Sequence, residues 1–322
     1  MNNAVFPLHL LPDNVRLQVI KNFDHLQLIF FSLLSRKSKA LVQSFNLKIE
    51  KLTVSAPDSL SIFIEPTVDE SLIEFSIYRG KGRMPISLDA VSSYVLVEAA
   101  SYEQHVAFQL FDQRLSFNEW FQHLRSLFKC EINKIVISKA HEKYDPVALR
   151  NLLPQWSSLE IERGSHDYVR RILDVFCPCV KVIEAGSDIH LQELPQKVSI
   201  QNLDIISIGK AFTLDDALSS NAVHISLIEF TVTDVNRFLR SWVRGSNPRM
   251  RSAYIRLIGP LHRGKLLKGI PQQAKPVEIY HMLDEYGRVR EGVRSKKGIP
   301  ATLITDRNIY RNYWTIEMSV GN

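Results

Sequence analysis

The sequence predicts an α/β protein in which a small three-helix module precedes a larger, irregular, repeat-like α/β scaffold. Apolar residues recur with helical spacing over the first 46 residues, whereas strand-like and helix-like patterns alternate over the rest of the chain. Predicted strands begin near residues 132, 159, 180, 198, 223 and 253, at intervals of roughly 18 to 30 residues. We therefore expect two domains, residues 1–46 and residues 47–322.

The composition is that of a folded protein without a membrane span. The chain has 322 residues, of which 45% are hydrophobic and 23% charged, a balance that allows a real core. The most apolar run, residues 26–34, is far shorter than the roughly 20 residues of a spanning helix. The first residues lack the basic segment of a secretory signal. Cys130, Cys177 and Cys179 are too few for a disulfide framework. We expect a cytoplasmic or nuclear protein.

The N-terminal module contains three short predicted helices. The first begins at Pro12 and Asp13, and the second covers His25–Leu34. Ser35 caps a third helix, Arg36–Phe45, in which we expect three residues to face inward: Ala40, Leu41 and Phe45. The second helix is apolar on more sides than so small a module can bury, which suggests a docking surface.

The scaffold begins with strand-like runs and continues with helix–strand units. Strands are predicted over residues 47–54, 71–78 and 93–99. Ser116 and Glu119 form a capping box for a helix that precedes a strand at 132–137. Two further helices follow the same plan, one beginning at Asp145-Pro146 and continuing through Trp156, and one beginning at Asp167. Their strands are predicted at 159–162 and 180–185.

The second half of the scaffold is less regular. Strands are predicted at 198–200, 205–208, 222–230 and 253–258. Thr213 and Asp216 form another capping box, and Asp234 caps a helix that Gly245 and Pro248 end. The basic segment Arg288–Lys297 lacks apolar periodicity, and we expect a loop there.

A repeating strand and helix unit requires parallel strands with right-handed crossovers. An irregular leucine-rich-repeat-like α/β solenoid satisfies this requirement, because each unit buries its apolar face only against its neighbours. The alternative is an ordinary α/β or α+β sheet domain with the same element order.

The net charge of +6 is the balance of opposed regions. Residues 47–236 carry 18 basic and 26 acidic side chains, whereas residues 237–297 carry 15 basic and 4 acidic ones, a net +11. Any basic binding surface is therefore expected near the C-terminal third.

The N-terminal module resembles an F-box. The resemblance rests on Leu11-Pro12, on a helix ending at Phe23-Asp24, on Leu28, on the run Phe31–Lys37, and on Ala40–Val42. It implies binding to the Skp-type adaptor of a cullin-based ubiquitin ligase. Carried over by position, the adaptor-binding residues are Leu11, Pro12, Val15, Ile20, Phe23, Leu28, Leu33, Leu34, Ser35 and Arg36. The alternative is a small helical cap that is apolar because it packs on the scaffold.

A second segment, residues 234–257, resembles the type-2 F-box-associated domain, and the likeness extends back to about residue 204. This resemblance implies a substrate-recognition subunit of an SCF-type ubiquitin ligase. Such a subunit recruits a target protein, has no catalytic residues or cofactor of its own, and works with a cullin scaffold. The alternatives are an adaptor-binding interaction protein without ubiquitin transfer, and a nucleic-acid binder.

Six arginines make a candidate target-binding patch. Three of them recur with helical spacing on the face opposite the apolar stripe, and guanidinium groups bind carboxylates and phosphates well. The candidate residues are Arg237, Arg240, Arg244, Arg249, Arg251 and Arg256. An acidic or phosphorylated protein segment would fit them. Nucleic acid is a rival ligand, and a solvated basic face without a ligand is the simplest reading.

Other candidate chemistry fails on residue type. Gly259–Lys265 has the spacing of a phosphate-binding loop, but Leu266 stands where a magnesium-binding Ser or Thr is needed. His141-Glu142 leads to no second histidine at zinc-binding spacing. The sequence predicts neither a metal site nor a catalytic site.

Overall fold

The computed structural model describes most of the chain from Leu8 to Gly321. The described residues are 8–55, 60–67, 72–78, 87–100, 105–111, 115–152, 156–162, 164–185, 203–208, 214–270, 289–294, 299–308 and 313–321. The chain divides into two compact units, residues 1–54 with 59–132 and residues 55–58 with 133–322. Helices and strands on both sides of residue 47 contribute to the first unit, so a separate domain over residues 1–46 stays a prediction.

Three helices open the first unit, as the sequence predicts. They are α1 (Asp13–Lys21), α2 (His25–Leu33) and α3 (Arg36–Ser44), and a 3-10 turn over Leu8–Leu10 precedes them. Ser35 caps α3 as expected, because its hydroxyl accepts a hydrogen bond from the Ser38 amide.

The face that α3 buries differs from the expected one. Ser38 and Val42 are buried, whereas Ala40 is exposed, and Leu41 and Phe45 are half-buried. The expectation that Ala40 faces inward is therefore wrong. Helical spacing allows either stripe, and the packing of the neighbouring α2 decides between them.

Strands β1 to β5 of the first unit lie side by side in chain order, and the β2-β3, β3-β4 and β4-β5 pairs are antiparallel. These strands are β1 (Leu47–Ser55), β2 (Leu60–Pro66), β3 (Leu72–Tyr78), β4 (Tyr94–Ala100) and β5 (His105–Phe111). Strand β6 (Phe128–Ile137) follows later in the chain. The predicted strands at 47–54, 71–78 and 93–99 are confirmed, whereas β2 and β5 were not predicted.

Helix α4 (Phe117–Leu127) supplies the apolar core of the first unit. It begins with the predicted capping box, in which the Ser116 hydroxyl accepts from the Glu119 amide and the Glu119 carboxylate accepts from the Ser116 amide. Trp120 is fully buried and its ring centroid lies 5.7 Å from that of Phe75 on β3. Large aromatic contacts of this kind dominate the burial energy of a small core.

Among the described residues of the second unit, helices lie between most consecutive strands from β6 to β11, and three strands follow one another near its C-terminal end. A 3-10 turn covers Lys139–Lys143. The helices are α5 (Pro146–Asn151), α6 (His166–Phe176), α7 (Leu214–Ser219), α8 (Val232–Val243) and α9 (Arg263–Leu266). The strands are β7 (Ser158–Ile161), β8 (Val182–Ala185), β9 (Ile205–Ile208), β10 (His224–Phe230), β11 (Ser252–Leu257), β12 (Val289–Arg294), β13 (Pro300–Asn308) and β14 (Tyr313–Val320).

The sheet of the second unit is mixed. Strands β6 to β11 lie side by side in chain order and pair in parallel. Beyond β11 the order continues with β14, β13 and β12, and these pairs are antiparallel. The α/β class is thus confirmed. The antiparallel strands at 60–111 and 289–320 depart from the pattern of one strand and one helix per unit, since antiparallel neighbours need no crossover helix.

The structure corrects three local predictions. Helix α8 begins at Val232 with Thr231 as its N-cap, and Asp234 is the third helical residue of that capping box. Helix α5 ends at Asn151, and Trp156 is buried from a loop, donating a hydrogen bond from its indole Nε1 to the Arg150 carbonyl. The loop expected over residues 288–297 contains strand β12, which pairing with β13 stabilises despite its polar sequence.

Two predictions lie outside the described residues, namely the strand at 198–200 and the cap at Thr213. Within the described residues, no helix combines the length and the apolar character needed to cross a bilayer.

Candidate protein-interaction surfaces

The three N-terminal helices build their own small core. Ile20, Ile29 and Val42 are fully buried, and Leu28 and Phe31 nearly so. The turn between α1 and α2 is fixed by a capping box that the sequence analysis missed. Its signal is the Asp24-x-x-Gln27 spacing, in which each side chain accepts a hydrogen bond from the other residue's amide.

Large apolar side chains remain exposed at two places on this module. Before α1, Leu10 is 80% exposed and Pro12 is also exposed, and Val15 is exposed within α1. At the turn between α2 and α3, Leu34 is 69% exposed. Isolated exposed leucines are common, but several on one small helical module are typical of a docking surface. We name these residues, together with Ser35 and Arg36, the N-terminal docking surface.

The structure sorts the ten predicted adaptor-binding residues into three classes. Those with exposed side chains are Pro12, Val15, Leu34, Ser35 and Arg36. Those that are half-buried are Leu11, Phe23 and Leu33. Ile20 and Leu28 are 0% and 4% exposed, so they hold the helices together and have no surface to offer a partner. Leu10 was not predicted, although the consecutive Leu10-Leu11-Pro12 signals it.

Helix α2 is tied to α4 by a hydrogen bond between side chains. The Ser32 hydroxyl donates to the Ile29 carbonyl at 2.6 Å and lies 2.8 Å from His123 Nε2. Because the hydroxyl proton is directed to the Ile29 carbonyl, Nε2 is assigned as the donor in this contact. Burial, and then the positive charge of Lys39, lower the pKa of His123 from 6.5 to about 4. The imidazole is therefore uncharged at neutral pH.

The six predicted arginines do not all lie on the same face of the sheet. Arg237, Arg240 and Arg244 are exposed on α8 or at its C-terminal end, and both Nη2 contacts of Arg237 go to the Asp215 carboxylate, at 2.7 and 2.8 Å. Arg249 donates to the Asn221 carbonyl at 3.4 Å.

Arg256 lies on the other side of the sheet from α8. Along β11 the buried residues Ala253, Ile255 and Leu257 alternate with Tyr254 and Arg256, so these two point away from the helix-covered face. The Arg256 guanidinium lies 5.5 Å from the centre of the Tyr313 ring. Arg251, directly before β11, is exposed. Arg237, Arg240 and Arg244 are thus exposed along α8, whereas Arg256 lies on the opposite sheet face.

The basic surface continues from α8 onto α9 instead. The Asn236 side chain on α8 donates to the carbonyls of Leu266 and Lys268, at 2.7 and 3.0 Å, and so holds the α9 turn in place. Lys265 and Lys268 are exposed there, and no acidic residue occurs between 258 and 270. Together with Arg240 and Arg244 they form what we name the α8–α9 basic surface.

The sheet face that carries Tyr254 and Arg256 carries ion-paired acidic and basic side chains farther along. Lys134 on β6 bridges Glu160 on β7 and Glu184 on β8, with Nζ–Oε2 distances of 2.7 and 2.8 Å. Burial disfavours the charged ammonium, but the hydrogen bonds and charges of the two carboxylates outweigh it and raise the pKa of Lys134. The charges of this face largely neutralise one another.

The described residues contain no group of three or more His, Cys, Asp or Glu side chains placed to hold a metal ion. His141 is fully buried, burial lowers its pKa to about 3, and its Nδ1 accepts from the Ser138 amide. Burial raises the pKa of Cys177 to about 12, so its thiol is unreactive at neutral pH. These residues act as parts of the core.

Two stretches of the chain match known protein families. The F-box domain family matches residues 8–50, and the family described as F-box associated matches residues 194–255. The F-box associated domain-containing protein sdz-33 of Caenorhabditis elegans is 34% identical over 70 residues, which are 21% of this chain. The match spans 23% of that relative's length. No solved structure matches the chain. Both resemblances read from the sequence are confirmed.

Proposed function

We propose, from an F-box over residues 8–50 and an F-box-associated segment over residues 194–255, that this protein is a substrate-recognition subunit of a cullin-based ubiquitin ligase. The observation that carries the proposal is the F-box match on three helices that leave Leu10, Pro12 and Leu34 exposed. A Skp-type adaptor would cover the N-terminal docking surface, and the cullin scaffold would bind through that adaptor.

The mechanism is proximity and needs no catalytic residue in this chain. Holding a target beside a charged conjugating enzyme raises the effective concentration of its lysines, which replaces a bimolecular encounter by a local one. The three free cysteines fit a reducing compartment, and we place the protein in the cytoplasm or nucleus.

The α8–α9 basic surface is our choice for target binding. Arg240 and Arg244 lie on an exposed helix face, and Arg240 Nε is 3.9 Å from the position that a Cβ atom on Gly269 would occupy, so the two elements present their charges together. Guanidinium and ammonium groups bind carboxylates and phosphates. An acidic or phosphorylated segment of the target fits this chemistry.

We infer further that the parallel strands β6 to β11 form a short leucine-rich-repeat-like ladder. Chain-order pairing, with helices α5, α6, α7 and α8 between strands, supports this inference. Such a ladder would hold the target surface at a fixed position on a stiff frame.

Recovery of a Skp-type adaptor and a cullin with the tagged full chain tests the proposal. Leu34→Asp buries an unpaired carboxylate in the proposed contact, which costs several kcal/mol, so adaptor recovery should fall by about 100-fold or more. Val147→Asp is the matched control, since Val147 is 49% exposed on α5 and distant in sequence from the docking surface. Equal adaptor recovery with both variants would refute the proposed site.

The same recovery separates the alternatives. Adaptor without cullin would indicate an interaction protein that takes no part in ubiquitin transfer. Nucleic-acid binding that weakens steeply with salt, and that is lost when Lys265 and Lys268 are replaced by Glu, would assign the basic surface to nucleic acid.

A further inference from the structure

Strand β5 lies at the edge of the strands described in the first unit. It is the last strand of the first unit's order, and among the described strands it pairs with β4 alone. All seven of its residues pair with β4 in one unbroken register, without a bulge. The outer edge of such a strand presents a row of backbone N–H and C=O groups that can pair with another chain.

The sequence of β5, HVAFQLF, lacks the devices that usually keep edges from pairing. It has no Lys, Arg, Asp, Glu or Pro, whereas natural edge strands are commonly protected by charges, prolines, bulges or short length. Strand β12, the edge of the second unit, shows the contrast, because its sequence VREGVR has three charged residues and a glycine.

The apolar face of β5 is only partly covered. Val106 is 38% exposed and Phe108 is 42% exposed. Their partners on β4 are Ala99 and Val97, and Val97 is fully buried on the same face of the sheet. The Phe108 ring meets the Phe30 ring of α2 edge-on at 5.6 Å, which covers one side of it. The apolar core of the first unit therefore continues to the sheet edge and remains open there.

The side-chain pattern of β5 is complementary to itself. When two copies lie antiparallel with Phe108 at the centre, Val106 of each copy faces Leu110 of the other, and Ala107 faces Gln109. This register overlaps all seven residues and keeps the apolar side chains together on one face. A shift of this register by one residue would place the apolar face of one copy on the same side as the polar face of the other.

We propose that β5 pairs antiparallel with β5 of a second copy of this chain, so that the protein forms a twofold symmetric dimer through a continuous sheet. The partner strand satisfies the outer backbone groups of β5, and the partner's Val106, Phe108 and Leu110 extend the apolar face. The contact is one strand wide on each side, which is typical of a weak, concentration-dependent dimer.

Sedimentation of the full chain over about 1 to 100 µM tests the proposal. The mass should rise with concentration from 37.0 kDa toward twice that value. The double variant Ala107→Lys with Gln109→Lys places like charges opposite each other twice in the proposed register and should remain monomeric. Thr302→Lys with Gln18→Lys adds the same charge at exposed positions that are distant from β5 in sequence and should dimerise normally.

Mixing variants of opposite charge tests the register itself. Ala107→Glu with Gln109→Glu should be monomeric alone and should form a dimer when mixed with the lysine variant, because each lysine then faces a glutamate. This recovery also shows that both variants are folded. A chain that stays monomeric at every concentration, a dimer unaffected by the lysine variant, or a mixture that stays monomeric would each overturn the proposal. If the wild type is itself monomeric at every concentration and the lysine variant loses a target protein that the wild type binds, β5 is assigned to that target and the dimer is refuted.

Discussion

The burial of His123 beside Lys39 predicts a specific loss of stability in mild acid. The folded-state pKa of His123 is about 4, below the ordinary value of 6.5, with burial as the main cause and the charge of Lys39 as the second. At a pH between these two pKa values, the imidazole of His123 is protonated in the unfolded chain and neutral in the folded chain. The stabilising contribution is therefore complete above about pH 6.5 and is lost as the pH falls toward 4.

The size of the effect follows from the shift. Between pH 7 and pH 5 a shift of this size corresponds to about 2 kcal/mol in the free energy of unfolding. The His123 ring is only half-buried, and solvent screening reduces the expected loss to about 1 kcal/mol. The variant His123→Gln keeps a hydrogen-bond donor for Ser32 and removes the titration.

Urea unfolding of the full chain and of His123→Gln at pH 7 and pH 5 measures this difference. His141 also has a lowered pKa, but it titrates in both proteins and cancels from the comparison. The wild type should lose about 1 kcal/mol more than the variant on acidification. Equal losses in the two proteins, or an NMR titration of the His123 ring with a midpoint near 6.5, would refute the reasoning.

Three further predictions concern stability. Leu28→Ala should lower the free energy of unfolding by about 2–5 kcal/mol, because Leu28 is 4% exposed. Leu34→Ala should change it by under about 0.5 kcal/mol, because Leu34 is 69% exposed. Similar losses for the two variants in urea unfolding would contradict the division between core and surface. Thr231→Ala removes the N-cap of α8 and should cost about 1 kcal/mol in the same measurement, so a neutral result would discredit the cap. Gly245→Ala should cost about 1 kcal/mol purely through its backbone, since φ is +104° and no atom lies within 4 Å of an added Cβ; an unchanged midpoint would argue against that conformation.

Features of the fold that depend on neighbouring residues could be predicted from the sequence. The caps at Ser116 and at Asp145-Pro146 are confirmed, because a side chain satisfies backbone groups only three residues away. Helix α6 is also confirmed, and Val169, Ile172, Leu173 and Phe176 are all fully buried on one stripe.

Features that depend on distant partners were missed. Strand β12 has no apolar pattern of its own and exists through pairing with β13. The antiparallel pairs β11–β14 and β13–β14 follow from contacts across the sheet, which periodicity along the chain does not encode.

The candidate sites also combine features that the local sequence predicts with features that depend on distant partners. The F-box resemblance predicts a docking surface, but it does not indicate which apolar positions are exposed. Ile20 and Leu34 were both predicted to bind the adaptor, yet Ile20 is 0% exposed and Leu34 is 69% exposed. Arg256 lies near Arg244 in sequence, yet strand alternation turns it to the sheet face away from α8.

Hydrogen–deuterium exchange of the full chain, with and without a purified Skp-type adaptor, tests the central claim most directly. The adaptor should slow exchange at the backbone amides of residues 10–16 and 33–38, which surround Leu10, Pro12 and Leu34, and should leave β13 and β14 unchanged. Unchanged exchange over both N-terminal segments at saturating adaptor, or protection confined to the second unit, would contradict the account.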